Sequence, residues 1–145
     1  MRKNNVQFQK GLSLAEFQRH YGSAEACRDA VAQLRWPNGF LCPECGNSTF
    51  CVLRRRSLYQ CHRCRRQTSV TAGTLFHATK LPLPTWFLAL YLVTQGKKGM
   101  SSLELGRHLG VSQNTAWAIR HKLMQAMLER DSGRRLDGLI QLDDA

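Results

Sequence analysis

Two cysteine pairs offer the clearest chemistry in this 145-residue chain: Cys42-Pro-Glu-Cys45 and Cys61-His-Arg-Cys64, with 15 residues between them. A Cys-x-x-Cys knuckle turns two sulfurs toward one point, and two knuckles at this spacing complete a tetrahedron of thiolates around Zn²⁺. Thiolate fills all four positions, so no place remains for an activated water and the metal is expected to be structural, not catalytic. A redox dithiol or a disulfide framework would not account for two pairs at this interval. Cys27, on a predicted helix, and Cys51, on a predicted strand, are read as small buried apolar residues. His62 stands inside a knuckle beside a ligand and is read as exposed rather than metal-bound.

A second constellation lies downstream, in SSLELGRHLGVSQNTAWAIRHKL (101–123). Leu105 and Leu109 mark a first helix, Gly106 the close approach of two helices, and Gly110 a turn that needs positive φ. Ser101 with Glu104 has capping-box spacing for the first helix, and Ser112 caps the second. Along the second helix Ala116, Ile119, Leu123, Ala126 and Met127 form the stripe expected to face the core. The opposite face carries Gln113, Asn114, Trp117, His121 and Gln125, flanked by Arg120 and Lys122. This is the pattern of a helix-turn-helix, whose second helix sets its N-terminal residues against base edges in the major groove. Gln113 and Asn114 are the candidates for base reading, because an amide bonds adenine bidentately, and Arg120 and Lys122 those for phosphate. Trp117 either stacks on the nucleic acid or packs against a domain that follows. An ordinary antiparallel helix pair is the competing reading, and the basic setting weighs against it.

These residues need a small α+β scaffold. Ser13-Leu-Ala-Glu16 has capping-box spacing for a helix from about Ser13 to Tyr21, and Ser23 opens a second helix to Leu34 with Ala26, Ala30, Val31 and Leu34 on its apolar face. Trp36-Pro-Asn-Gly39 breaks it. Short strands are predicted at Thr49–Leu53, Ser57–Gln60 and Gln67–Thr71, then a helix after Pro82 and Pro84 through Thr94. Helices at Ser102–Leu109 and Gln113 to about Glu129 complete the reading. The expected domains are an N-terminal helical segment (1–40), a four-cysteine zinc ribbon (41–72), an all-α helix-turn-helix region (73–130), and a C-terminal strand remnant (131–145) that is poorly ordered.

The charge points the same way. Lys and Arg number 21 against 10 Asp and Glu, a formal +11 that four thiolates and one Zn²⁺ lower only to about +9. No acidic residue lies between Glu44 and Glu104, while Arg54, Arg55, Arg56, Arg63, Arg65, Arg66, Lys80, Lys97 and Lys98 all do. Such a one-signed stretch suits a polyanion. At 43% hydrophobic and 21% charged residues the composition is that of a folded chain, not a disordered one. The N-terminus lacks the apolar run of a secretory signal, and the longest apolar run, Trp86 to Val93, is far short of the roughly 20 residues of a membrane span.

The segments RWPNGFLCPECG, YQCHRCRRQTSVTAGTLFHATKLPLPTWFLALYLVTQGKKGMSSLELGRHLGV and TAWAIRHKLMQAM, in this order, resemble insertion-sequence transposases that carry an N-terminal zinc ribbon and a ribonuclease-H-like catalytic domain. The resemblance covers about residues 16 to 145. It implies that LIQLDDA is the opening strand of the catalytic domain, with Asp143 the first metal-binding carboxylate and Asp144 its acidic neighbour. Two-metal phosphoryl transfer needs several such ligands, so Mg²⁺ chemistry is expected only of a complete transposase, and this chain is expected to bind without strand transfer. The resemblance further implies double-stranded DNA as partner, specifically terminal inverted repeats, bound by one copy or by a homodimer, with no membrane and a cytoplasmic, nucleoid-associated location. The arginines of the ribbon, Arg54, Arg55, Arg56, Arg65 and Arg66, are expected to add phosphate contacts. A transcription regulator built of the same two modules is the alternative, and a fragment of an active transposase a second.

Overall fold

The computed structural model describes residues 11–96 and 98–133. The expected strand with Asp143 and Asp144 lies outside the described residues, as does Lys97. Contacts divide the chain into two compact units, Met1–Met100 and Ser101–Ala145.

The first unit opens with α1 (Leu14–Tyr21) and α2 (Ala24–Arg35). Ser13 and Glu16 form the full reciprocal capping box, and the Ser23 hydroxyl accepts from the Ala26 amide, so both starts are fixed by short-range hydrogen bonding. Three short strands follow, β1 (Phe50–Leu53), β2 (Leu58–Cys61) and β3 (Gln67–Ser69), paired antiparallel in the order β1-β2-β3. The register sets Phe50 opposite Cys61 and Tyr59 opposite Val52 and Thr68. The last element is α3 (Leu83–Gln95), which carries no charged residue and starts with Pro84 in its first turn.

Aromatic rings join these pieces. Phe17 meets Tyr91 at 4.6 Å between ring centroids, and Tyr21 meets Phe87 at 5.1 Å, so α3 packs on α1 and α2. Grouping α3 with the helix-turn-helix, as in the expected 73–130 domain, therefore does not match the observed packing. A helix without a charged side chain needs cover on most of its circumference, and the aromatic rings of α1 together with α2 supply part of it. A second aromatic group, Trp36, Phe40, Phe50 and Tyr59, ties the end of α2 to the sheet. From α2, the Arg35 guanidinium donates to the Ser69 and Val70 carbonyls at 3.0 and 2.9 Å and lies over the Trp36 ring. The expected apolar face of α2 holds at Val31 and fails at Leu34, which is 82% exposed, while Cys27 is fully buried as expected.

The second unit is a helix pair, α4 (Ser102–Leu109) and α5 (Gln113–Ser132). The Ser101 and Ser112 hydroxyls cap the two starts, and Gly110 turns the chain at φ +66°. Leu105, Ala116, Ile119 and Leu123 are buried between the helices, as the stripe predicts, but Ala126 is only half-buried and Met127 is exposed. The reason is length: eight-residue α4 ends before it can cover the second half of α5. That helix runs through Ser132, so Asp131, expected at the start of a poorly ordered tail, is helical.

Gly106 is where the helices come closest. A Cβ there would stand 3.1 Å from the Val111 carbonyl oxygen and 3.5 Å from the Ala116 methyl. Gly106→Val is expected to lower stability by about 1–3 kcal/mol through overpacking, read as an earlier midpoint in urea unfolding followed by helical circular dichroism. An unchanged midpoint would show that the two helices do not approach this closely in solution.

Candidate metal centre and nucleic-acid interface

The two knuckles are built alike. In the first, the Gly46 amide bonds the Cys42 carbonyl at 2.9 Å; in the second, the Arg65 amide bonds the Cys61 carbonyl at 3.1 Å. Each closing residue has positive φ, +66° at Gly46 and +61° at Arg65. Glycine takes that conformation freely, whereas arginine takes it at a cost of roughly 1 kcal/mol. The pairing of β1 with β2, extended by the His62 amide on the Thr49 carbonyl at 3.1 Å, brings the knuckles together.

All four sulfurs then lie within 4.8 Å of one another, with Cys42 Sγ and Cys64 Sγ 3.5 Å apart and Cys45 Sγ and Cys61 Sγ also 3.5 Å apart. Four sulfurs about 2.3 Å from one zinc would stand about 3.8 Å apart, so the cluster has the size and donor set of a tetrahedral thiolate site. Among the described residues it is the one group able to hold a metal ion. The four cysteines are thus positioned for zinc binding.

Their electrostatics agree. The Cys61 thiol is pulled down to about 6 by the backbone amide of Cys64, with help from the Arg63 amide and the Asn47 side chain. Cys42 is lowered by the Cys45 amide first and the Glu44 amide as well. Cys64 accepts the Arg66 amide, which favours its thiolate, yet burial and the sulfurs of Cys42, Cys45 and Cys61 push it up to about 12. Four thiolates in so small a space repel one another, and a divalent cation at their centre reverses that balance.

Sequence reasoning left several supports of this site unseen. Asn47 donates to Thr49 Oγ1 at 2.6 Å and reaches Cys61 Sγ at 3.7 Å, orienting a ligand from outside the tetrahedron. Glu44 and Arg66 form an ion pair from one knuckle to the other. An Asn two residues after the fourth position of a knuckle gives a weak signal for the first; no local pattern signals the second, because its partners are 22 residues apart. His62 is exposed, as expected. Cys51 is exposed, contrary to expectation, because β1 is an edge strand whose first three residues all face solvent.

The arginines expected to contact phosphate fall in two places. Arg54, Arg55 and Arg56 form the exposed turn between β1 and β2, and Arg65 and Arg66 lie in the second knuckle, at the other end of β2. Arg66 is engaged with Glu44. In the second unit Gln113, Asn114, Trp117, His121 and Lys122 are exposed and Arg120 is half-buried. Gln113 and Asn114 occupy the first turn of α5, immediately after the Ser112 cap, and the Trp117 ring packs tilted against His121 at 3.9 Å between ring centroids.

A four-cysteine, three-stranded sheet with paired knuckles defines the chain as a zinc-ribbon protein. Comparison with known proteins takes this further. Residues 22–67 match the transposase zinc-ribbon domain of the IS1595 kind. The chain is also 30% identical over 128 residues to an uncharacterized protein in transposable element ISH50 of Halobacterium salinarum. That alignment takes in 84% of this chain and 41% of the relative, so the chain spans less than half the length of the curated relative it matches. No solved structure gives a significant match. Over residues 22–67 the chain is thus similar to a transposase zinc-ribbon domain, and over most of its length to part of a transposable-element protein, in line with the resemblance read from its sequence. Among the described residues no helix is long and apolar enough to cross a membrane.

Proposed function

We propose that this chain binds double-stranded DNA at the terminal inverted repeats of a mobile element, as the recognition part of a transposase. The observation that carries the reading is the first turn of α5. It is capped by Ser112, follows α4 through the left-handed Gly110 turn, and presents Gln113 and Asn114 to solvent. Arg54, Arg55, Arg56, Arg65, Arg120 and Lys122 supply positive charge for phosphates, and the formal charge of +11 supports a polyanionic partner. Zinc in the ribbon is structural, because all four tetrahedral positions are protein sulfur. Strand transfer by two-metal chemistry with Mg²⁺ would need several carboxylate ligands, of which Asp143 would be the first.

The test is binding of the zinc-loaded protein to duplexes carrying inverted-repeat ends, against scrambled duplexes, at two salt concentrations. Preference for the ends is expected, with affinity falling as salt rises because bound phosphates release counterions. Equal affinity for both duplexes would overturn the assignment to transposon ends. Tight binding to a promoter instead would favour a transcription regulator.

A further inference from the structure

At 20 residues α5 is about 30 Å long, more than base reading by its first turns requires. Its buried positions, Ala116, Ile119 and Leu123, stop near its middle. Beyond them the helix does not become uniformly polar. Trp117, Met124 and Leu128 are 54, 48 and 64% exposed. With His121 and Asp131 they fall at positions 117, 121, 124, 128 and 131, alternate steps of four and three, which is the spacing of a coiled-coil seam. His121, Met124, Leu128 and Asp131, bordered by Gln125 and Met127, also line one continuous shallow depression.

We infer that this stripe is the seam for a second copy of the chain, with α5 packed antiparallel on α5. The residues are self-complementary in that arrangement. With a two-fold axis level with Ala126, Met124 of each copy meets Leu128 of the other, and His121 of each meets Asp131 of the other. A parallel pairing would set Asp131 against Asp131 and His121 against His121, like on like. An isologous interface requires a patch that matches itself under a two-fold rotation, and an unrelated partner would impose no such symmetry on the sequence. In this register the helix of the second copy ends level with Arg120. Gln113, Asn114 and Trp117 extend past it, Gln113 by about 10 Å, so the pairing leaves the base-reading turn uncovered. The seam is short, and association is therefore weak and concentration-dependent.

Sedimentation equilibrium of the zinc-loaded protein without DNA tests this independently of what the chain binds. The dimer fraction is expected to rise with protein concentration. Leu128→Glu is expected to weaken association by at least about tenfold while leaving helical circular dichroism unchanged, because Leu128 is largely exposed in the single copy. Cross-linking separates the two directions: in a Cys51→Ser background, a mixture of Met124→Cys and Leu128→Cys chains forms the mixed disulfide in an antiparallel seam, whereas in a parallel seam each variant forms a disulfide with its own kind. A wild-type protein that stays monomeric at the highest soluble concentration would overturn the inference. So would a Leu128→Glu protein that associates like wild type, or disulfides that form only between like variants.

Discussion

Chelating the metal from the zinc-loaded protein is expected to unfold the ribbon while the α4–α5 pair stays folded. The ribbon has little else to hold it. Its buried cluster is Phe40, Cys42 and Cys61, with Trp36, Cys45 and Tyr59 against it, so three of the six members are cysteines positioned for zinc. Structural zinc contributes an apparent 10–16 kcal/mol, roughly the whole stability of a typical domain. Without the cation, the sulfurs of Cys42, Cys45, Cys61 and Cys64 face one another at van der Waals distance with nothing to join them. Amide spectra should lose the dispersed peaks of β1, β2 and β3 on chelation and recover them when zinc is returned. The α4–α5 peaks should remain, because Leu105, Ile119 and Leu123 form a core of their own. Cys61→Ser should reproduce the loss, whereas Cys51→Ser should not, since Cys51 is exposed and outside the cluster. Dispersed ribbon peaks in the metal-free protein would show that the aromatic group suffices.

Replacing Gln113 and Asn114 together by Ala is expected to remove sequence preference and leave nonspecific binding nearly intact. A bidentate amide–adenine contact discriminates by about 1–3 kcal/mol, so losing two should lower preference by a factor between about 30-fold and about 10⁴-fold. Most nonspecific affinity comes from phosphates, which the substitution does not touch. Both side chains are exposed and the Ser112 cap stays, so the fold should be unaffected. Competition between inverted-repeat and scrambled duplexes gives the ratio directly. A preserved ratio would assign base reading to other residues. Substitution of Arg54, Arg55 and Arg56 makes the complementary case: affinity should fall evenly for both duplexes, and the salt dependence should become shallower by about one unit per lost phosphate contact.

Much of the scaffold was legible in the sequence. Helix starts at Ser13, Ser23, Ser101 and Ser112 fell where their hydroxyls predicted, because capping joins groups three residues apart. The Gly110 turn was equally local, fixed by a φ that favours glycine. The four-cysteine cluster was readable because each knuckle folds within four residues and a zinc site demands a donor set few other patterns satisfy. Boundaries were less readable: α5 continues past Glu129 to Ser132, where no proline or strong capping residue stops it sooner.

By itself, then, the sequence determined which cysteines come together in a cluster fit for zinc, where the helices of the turn motif begin, and the sign of the surface charge. These depend on neighbours along the chain or on composition. Only the tertiary structure decided that α3 packs on α1 and α2, that Arg35 anchors the Ser69 and Val70 carbonyls, and that Glu44 pairs with Arg66. It alone showed Cys51, Leu34 and Met127 exposed, and the arginines of the ribbon divided between opposite ends of β2. Those outcomes join residues distant in sequence or depend on which face another element covers. Periodicity marks an apolar stripe, but burial requires a partner long enough to reach it, and α4 ends before the second half of α5.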